Sequence, residues 1–220
     1  PTYQWLCEMS QLIGVEDTTF CADRFPFDVQ NRNVAGQFSA AIWTSIYAGF
    51  IIAFPYVLYQ LWRFISPGLK SNERKNSRGF IIIASFLFFI GVLFGYYVIT
   101  PLSFNFLVNF KISEQIFNDF DVDSVIALVR SSALASGIVF ELPIVIYFLT
   151  KIGLVTPQIL KKYRKFALVI VLIISAVITP PDIASQVIVA VPILILYQVS
   201  IFISRIVVRN QKRKKQKVNA

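Results

Sequence analysis

The stretch from residue 33 to residue 62, NVAGQFSAAIWTSIYAGFIIAFPYVLYQLW, decides the fold class, because its 30 residues carry no charge. A second uncharged stretch, of 32 residues, runs from 79 to 110. About 20 apolar residues cross a bilayer as a helix, so each stretch predicts a transmembrane helix. The composition agrees: 56% of the 220 residues are hydrophobic, 15% are charged, and the mean hydropathy is +0.65. Soluble domains have about 25% charged residues, so a soluble globular protein is excluded.

Two further apolar stretches follow. Residues 125–150 are interrupted only by Arg130 and Glu141. Residues 166–204 carry a single charge, Asp182, directly after two prolines, and this combination predicts a turn between two helices. The sequence therefore predicts an all-α integral membrane protein in which the last two helices are short. The predicted organisation is an external loop over 1–38, helices at about 39–62, 79–101, 125–150, 166–179 and 185–204, and a basic cytoplasmic tail over 205–220.

The charges between these stretches predict the orientation. Segment 1–32 holds two basic and five acidic residues, whereas segment 63–78 holds five basic residues and one acid. Segment 111–124 is again acidic, while segment 151–165 has five basic residues and no acid. Basic connections stay on the cytoplasmic side, so the first segment is predicted outside and the sides then alternate. The last segment, with seven basic residues from Arg205 onward, is predicted inside, and its part from Arg209 to Lys217 is predicted to be disordered, solvated or in contact with anionic lipid.

The predicted external position of the first segment has two consequences. It predicts a further transmembrane helix upstream, which would give six helices with both ends in the cytoplasm. It also places Cys7 and Cys21 in an oxidising compartment, where they could form a disulfide or remain two separate thiols.

Few residues could carry chemistry. Histidine is absent, which removes the usual general base and the commonest metal ligand, so neither an enzyme nor a metal or cofactor site is predicted. Glu141 lies inside an apolar stretch, where a carboxylate costs roughly 2.5 to 3.5 kcal/mol and usually faces a bundle interior or a wet cavity. Glu73 is the one acid on the predicted inner side, and by itself it is typical of a solvated charge balanced by Arg74 and Lys75.

Two other classes of function remain open from these residues alone. A secondary transporter also contains an intramembrane carboxylate and broken helices, although the second half of the chain does not repeat the first. A membrane-embedded hydrolase or transferase would need a nucleophile and a base, and without histidine only Glu141 is available. Uptake of a small solute into vesicles would indicate the transporter, and turnover of a lipid or peptide would indicate the enzyme.

Several motifs, in order along the chain, resemble the TatC family, the signal-recognition subunit of the twin-arginine translocase. They are Phe54-Pro55-Tyr56-Val57-Leu58-Tyr59-Gln60-Leu61-Trp62-Arg63-Phe64-Ile65-Ser66-Pro67-Gly68-Leu69 with Glu73-Arg74, then Phe140-Glu141-Leu142-Pro143, Gly153-Leu154-Val155 with Arg164, and Thr179-Pro180-Pro181-Asp182 with Ser185-Gln186. The resemblance runs from about Gly36 to Arg205. It implies a six-helix, glove-shaped bundle, of which five helices are expected here.

The resemblance also implies functional residues. Glu73 is expected to bind the paired arginines of a signal peptide, with Phe64, Leu69 and Arg74 around the same site. Glu141 and Gln198 are expected to face a partner helix within the membrane, although Gln198 stands where the family has a glutamate and so lacks its charge. The external cap is expected to contain Pro181, Asp182, Ser185 and Gln186.

The implied biology is protein transport. The expected partners are the twin-arginine signal peptides of folded cargo, single-span TatA- and TatB-type subunits, further copies of the chain and membrane lipid, without nucleic acid. The energy source would be the proton motive force. The expected location is the cytoplasmic membrane of a bacterium.

Overall fold

The structure, a computed structural model, describes residues 29–65, 77–110, 119–179 and 183–218. Helices make up nearly all of this part of the chain, which confirms the predicted all-α class. The helices are α1 (Gly36–Ile65), α2 (Ser77–Phe94), α3 (Thr100–Asn109), α4 (Val122–Phe140), α5 (Leu142–Lys151), α6 (Pro157–Lys162), α7 (Arg164–Ile178) and α8 (Ile183–Val218). A π-helical turn, Gly95–Ile99, joins α2 to α3, and two short strands are β1 (Val29–Gln30) and β2 (Phe120–Asp121).

Within the described residues, four helical stretches are long and apolar enough to cross a membrane. They are Gly36–Phe64, Ile81–Asn109, Val122–Lys151 and Gln186–Arg213. Helix α7 is shorter, because its 15 residues rise only about 22 Å against a hydrocarbon core of about 30 Å. The arm of the hairpin that the sequence predicted to be too short for an ordinary bilayer is therefore short in the structure as well.

Burial within the bundle distinguishes the central helices from the peripheral ones. In the most apolar 18 residues of Val122–Lys151, half of the residues are buried inside the protein. In the corresponding part of Gly36–Phe64, only 6% are buried. A helix that is apolar on every side and exposed on most of them is stable only where lipid covers it. Helices α4 and α5 therefore form the centre of the bundle, and most of α1 faces lipid.

Glycines allow α2 and the π-helical turn after it to approach α4 closely. A Cβ atom added at Gly95 would lie 2.5 Å from the Ser132 carbonyl oxygen, and one added at Gly91 would lie 2.7 Å from the Cβ atom of Phe140. Across the interface, a Cβ atom at Gly137 would lie 2.8 Å from the Phe88 ring. Small residues at a membrane-helix interface let the two backbones pack together, and the four-residue spacing of Gly91 and Gly95 serves that purpose here.

Substitution of Gly95 by leucine is expected to destabilise the bundle. The new side chain would meet backbone atoms of α4, which cannot rotate away, and overpacking of this kind costs about 1 to 3 kcal/mol. Gly49 provides the matched control, because a Cβ atom there meets nothing within 4 Å. Thermal unfolding in detergent should show a lower midpoint for Gly95→Leu and little change for Gly49→Leu, and equal midpoints would contradict the close approach.

Prolines within the spans have different local effects. Pro101 lacks an N–H and follows the π-helical turn, where both the backbone N–H and the side-chain hydroxyl of Thr100 donate to the Gly95 carbonyl, the hydroxyl at 2.9 Å. The helix therefore continues to Asn109 rather than ending near residue 101 as predicted. Pro55 and Pro192, in contrast, lie inside uninterrupted helices.

One end of the bundle is held by the strand pair and by charges. Strands β1 and β2 are parallel, with Val29 opposite Phe120 and Gln30 opposite Asp121. Next to them, the Arg32 guanidinium lies 3.2 Å from the Asp119 carboxylate, and the Arg32 backbone N–H donates to Asp121 Oδ1 at 3.2 Å. We call this end the strand end. These contacts connect the segment before α1 to the segment before α4.

At the opposite end, a tight turn leads from α5 to α6. Gly153 has a φ of +86°, a conformation that other residues rarely adopt, and it directly follows the last turn of α5. Leu154 N then donates to the Leu149 carbonyl at 2.9 Å, as expected where a helix ends in this way. Thr156 caps α6, because its hydroxyl accepts a hydrogen bond from the Ile159 N–H at 3.4 Å.

Helix α8 differs from the prediction, which ended it at residue 204 as a short helix followed by a disordered or lipid-bound tail. The helix continues through the basic segment to Val218. Lysine, arginine and glutamine have high helix propensity, and contacts with α5 hold the extension in place. The Thr150 and Ser204 hydroxyl oxygens lie 2.9 Å apart, and Gln211 Nε2 donates to the Lys151 carbonyl at 2.9 Å.

Candidate partner site at the break between α4 and α5

Glu141 lies at the break between α4 and α5. Its backbone carbonyl accepts hydrogen bonds from the N–H groups of Ile144 and Val145, both at 3.0 Å. Pro143 has no N–H to donate and its ring clashes with the carbonyl four residues earlier, which favours a break or a kink in the helix at this point. The predicted single helix over 125–150 is consequently two helices, and the carboxylate lies where they meet.

The Glu141 side chain is buried without a partner in the described part of the chain. The residue is 7% exposed, and neither carboxylate oxygen has a hydrogen-bond partner there. Its neighbours in sequence are apolar: the Phe140 ring lies 5.5 Å from the Phe94 ring, and Leu142 packs against a buried apolar cluster. That cluster consists of Ile99, Val171, Val189, Ala190 and Ile193. A buried polar group that lacks a partner typically costs about 1 to 3 kcal/mol, so Glu141 is not placed there to stabilise the isolated subunit.

Gln198 has a partner within the chain. The Arg164 guanidinium, in the first turn of α7, donates to Gln198 Oε1 at 2.7 Å and so links α7 to α8. Among the described residues, no hydrogen bond connects Gln198 to Glu141. Glu141 and Gln198, which the family resemblance grouped as an intramembrane pair, therefore have different surroundings: Gln198 is hydrogen-bonded to Arg164, and Glu141 has no partner among the described residues.

Part of the predicted external cap can be located. Gln186 lies in the first turn of α8, and its Nε2 atom donates to the Leu172 carbonyl of α7 at 2.9 Å. This bond holds the two arms of the last hairpin together near the strand end. Pro181 and Asp182 lie outside the described residues. The backbone of Ser185 belongs to α8, but its side chain is not among the described ones.

Of the predicted signal-peptide site, only Phe64 lies within the described residues. It is in the last turn of α1 and its side chain is 85% exposed, so its ring is available to a ligand. Glu73, Leu69 and Arg74 lie in the segment 66–76, outside the described residues, as do Cys7 and Cys21 in segment 1–28.

Sequence reasoning missed two cation contacts. Lys151 Nζ lies 5.7 Å from the centre of the Trp62 ring and 5.5 Å from that of Tyr147, which connects the last turn of α1 to the end of α5. The spacing of four residues between Tyr147 and Lys151 places them on one helix face and could have predicted half of this contact. The partner from α1 could not have been predicted, because it depends on the packing of α1 against α5.

The second missed contact involves the other intramembrane charge, Arg130. Its guanidinium lies 3.4 Å from Asp123 and 5.8 Å from the centre of the Tyr47 ring, and its side chain is 13% exposed. Asp123 precedes Arg130 by two helical turns on one face of α4, a spacing that was visible in the sequence. The arginine is thus paired, which leaves Glu141 as the unpartnered charge of α4 and α5.

Residues 2–192 match the family model of the Sec-independent protein translocase protein (TatC). The chain belongs to the TatC family. Among its relatives is the TatC protein of Blattabacterium, 44% identical over 203 residues, which are 92% of this chain and 76% of the relative. The TatC protein of Aquifex aeolicus is 40% identical over 169 residues, covering 76% of this chain and 70% of the relative.

The fold agrees with a solved TatC structure. A crystal structure of the twin-arginine translocase receptor TatC in DDM matches with a TM-score of 0.71 and 32% sequence identity, and the match covers 92% of each chain. The chain is therefore a component of a protein translocase and a multi-pass bacterial membrane protein. TatC is a transport subunit, so the small-solute transporter and the membrane hydrolase that the sequence left open are not supported.

Proposed function

We propose that this chain is the receptor and core subunit of a twin-arginine translocase, which binds the signal peptides of folded proteins. Family membership supports this proposal, as does the 32% identity to a chain described as a twin-arginine translocase receptor. The observation that carries the assembly part of the proposal is the buried, unpartnered carboxylate of Glu141.

The chemistry of recognition follows from the two arginines of the cargo. A guanidinium is planar and can donate two parallel hydrogen bonds to one carboxylate, and such charge-assisted bonds are roughly twice as strong as neutral ones. Glu73 is the acid in the predicted inner connection that can accept them, and Phe64 provides an exposed ring nine residues earlier, in the last turn of α1. A lysine pair would keep the charge but lose the planar fork, so binding should discriminate against it.

The proposed orientation places the strand end outside and the end that carries Lys151 and the last turns of α8 in the cytoplasm. The inner connections 63–78 and 151–165 hold ten of the 21 basic residues, and the segment from Arg205 holds seven more. An excess of lysine and arginine is typical of cytoplasmic loops. The chain would then lie in the cytoplasmic membrane with its signal-peptide loop facing newly made cargo.

Single-span subunits of the TatA and TatB type are the proposed partners within the membrane, together with further copies of this chain. A partner helix with a polar side chain near the bilayer centre would give Glu141 the hydrogen bond that it lacks, once the carboxylate, which is buried in the isolated chain, turns or is uncovered to meet it. Transport itself would use the proton motive force, with no covalent step and no cofactor.

Crosslinking of the full-length protein tests receptor function. A twin-arginine signal peptide with a photoreactive residue should crosslink to the protein in native membranes, and its lysine-lysine variant should crosslink much less. Equal crosslinking of the two peptides would contradict recognition of the guanidinium pair.

Cys7 and Cys21 are expected to form a disulfide in the external loop. By the loop-entropy estimate, a closed loop of roughly 15 residues contributes about 3 kcal/mol. In denatured, unreduced protein a thiol reagent should label neither cysteine, whereas both should react after reduction. Full labelling without reduction would show that the two thiols are separate.

A further inference from the structure

A groove of about 520 Å³ lies between α6 and the basic extension of α8. Five of the side chains that line it are cationic and none is acidic: Lys161, Arg205, Arg209, Lys212 and Arg213. Its volume lies within the range of roughly 300 to 1,000 Å³ that is usual for small-molecule sites. We call it the basic groove, and neither Glu141 nor a residue of the strand end lines it.

The positive charge of the basic groove is not neutralised within the described part of the chain. The ion pairs there involve Arg32 and Arg130, and none of the five groove cations contacts an acid. Lys162, next in sequence to Lys161, lies instead over the Tyr163 ring at 5.9 Å and is not among the lining residues. Like charges repel at this density, so the groove favours an anionic ligand.

The groove is formed by fixed elements rather than by a free tail. Along α8 the spacing of Arg205, Arg209 and Lys212 places them on one helix face, which is turned towards α6. Away from the groove, Gln211 donates to the Lys151 carbonyl, and Tyr197 OH donates to the Leu160 carbonyl of α6 at 2.8 Å. These bonds hold α8 against both α5 and α6, so the cations converge on one place.

We propose that the basic groove binds the phosphate headgroup of an anionic phospholipid. The site lies at the end of the apolar span Gln186–Arg213, where the headgroups of one leaflet are expected. On α8 itself, Phe202 lies about one turn before Arg205 and Ile206 lies between Arg205 and Arg209; both are exposed large apolar side chains in a position to cover acyl chains. A dissolved phosphate would have no use for these apolar neighbours, so the lipid is the favoured source of the anion.

The lipid site requires membrane insertion but not signal-peptide recognition. Under the orientation proposed above, the lipid would belong to the cytoplasmic leaflet. Each basic residue near an anionic surface strengthens association roughly fivefold, so two removed charges should weaken binding roughly 25-fold. General attraction to a charged surface would fall equally for any two basic residues removed from this end of the bundle, so a defined site is distinguished by comparison with a control that leaves the groove lining intact.

The test is native mass spectrometry of the full-length protein in neutral detergent, titrated with dioleoyl phosphatidylglycerol. The groove variant is Arg209→Gln with Arg213→Gln, since glutamine removes the charge and keeps helix propensity. The control is Lys162→Gln with Lys165→Gln, which removes two charges from the same end of the bundle but not from the groove lining. The groove variant should lose about 25-fold in affinity for the first bound lipid, and the control should lose less than threefold.

Two further experiments determine whether the bound anion is a lipid headgroup or a soluble molecule. Phosphatidylcholine, which has a phosphate but no net charge, should bind far more weakly than phosphatidylglycerol. Free glycerol phosphate and a polyglutamate peptide should each fail to displace the bound lipid. Equal losses in the groove and control variants would overturn the site, and displacement by either soluble competitor at comparable concentration would overturn the lipid assignment. If the groove variant keeps its lipid affinity, the lipid site is wrong. If the same variant also fails to bind the signal peptide, that second result concerns receptor function and not the lipid site.

Discussion

Replacement of Glu73 by lysine is expected to abolish crosslinking of a twin-arginine signal peptide, and replacement by alanine is expected to weaken it by about tenfold to a hundredfold. A hydrogen bond to a charged group contributes about 1.5 to 3 kcal/mol, which corresponds to the alanine loss. Lysine should be worse, because it places a cation against two guanidiniums in a segment that already has five basic residues. The change should leave membrane insertion intact, since the loop is polar and lies outside the apolar stretches.

A matched charge reversal separates recognition from general electrostatics. Glu114→Lys makes the same substitution in the acidic segment 111–124, which is predicted to lie on the other side of the membrane. It should crosslink as the wild type does. The lysine-lysine signal peptide should behave with wild-type protein much as the twin-arginine peptide behaves with Glu73→Ala. If wild type and Glu73→Lys crosslink equally, Glu73 is only a solvated surface charge.

The sequence predicted the membrane class and most helix positions, because long uncharged stretches leave few alternatives. The 30 uncharged residues from 33 to 62 contain most of α1, and α7 ends and α8 begins on either side of the two prolines and Asp182. In a membrane every backbone polar group needs an internal partner, and this requirement makes helices the expected structure for such stretches. Charge counts likewise separated the loops into two sets without any knowledge of packing.

The effects of individual prolines could not be predicted in the same way. Pro101 follows a π-helical turn, Pro143 separates two helices, and Pro192 leaves its helix uninterrupted. At Pro101 the chain forms a π-helical turn in which the Gly95 carbonyl accepts hydrogen bonds from both the backbone N–H and the hydroxyl of Thr100, and tertiary packing decides whether such a turn, a break or a continuous helix forms. The helical course of the basic extension of α8 was missed for a similar reason, because the Gln211 contact with Lys151 joins residues 60 positions apart.

The candidate site was partly visible in the sequence. Glu141 was identified because a carboxylate in an apolar stretch is rare, and Gln198 was grouped with it from the family pattern alone. The structure separates them, since Gln198 accepts a hydrogen bond from Arg164 whereas Glu141 has no partner in the described part of the chain. Which side chains form hydrogen bonds within a bundle depends on their distances in three dimensions, and a motif along the sequence does not contain those distances.

Glu141→Ala is expected to reduce transport of a folded twin-arginine cargo by tenfold or more, while Glu141→Gln should retain most of it. Glutamine keeps a hydrogen-bonding group at the break between α4 and α5, and alanine does not. The measurement is export of a folded cargo by cells that carry each variant at equal protein levels. Crosslinking from a cysteine at position 141 should, in parallel, reach single-span partner helices in the wild-type assembly.

Stability distinguishes this interpretation from a structural role for Glu141. A carboxylate that served the fold would have partners inside the chain, and its loss would destabilise the protein. Because both oxygens are buried without partners among the described residues, Glu141→Met, which roughly keeps the volume, should instead raise the unfolding midpoint of the purified subunit. The same substitution should damage transport. Ser103→Ala is the matched control, since it removes another buried and unpartnered polar group outside the site and should leave transport unchanged.

The outcomes at position 141 then separate three explanations by their chemistry. If glutamine is as inactive as alanine, the negative charge itself is needed, and the partner must offer a cation rather than a polar group. If methionine lowers the unfolding midpoint as well as transport, the carboxylate stabilises the subunit and its loss of function is indirect. If alanine and glutamine both transport normally and position 141 crosslinks only to lipid, no partner helix covers this site. Retained activity in glutamine, lost activity in alanine and a more stable methionine variant are together the result expected if Glu141 is kept for a second protein, and crosslinking from position 141 identifies that protein.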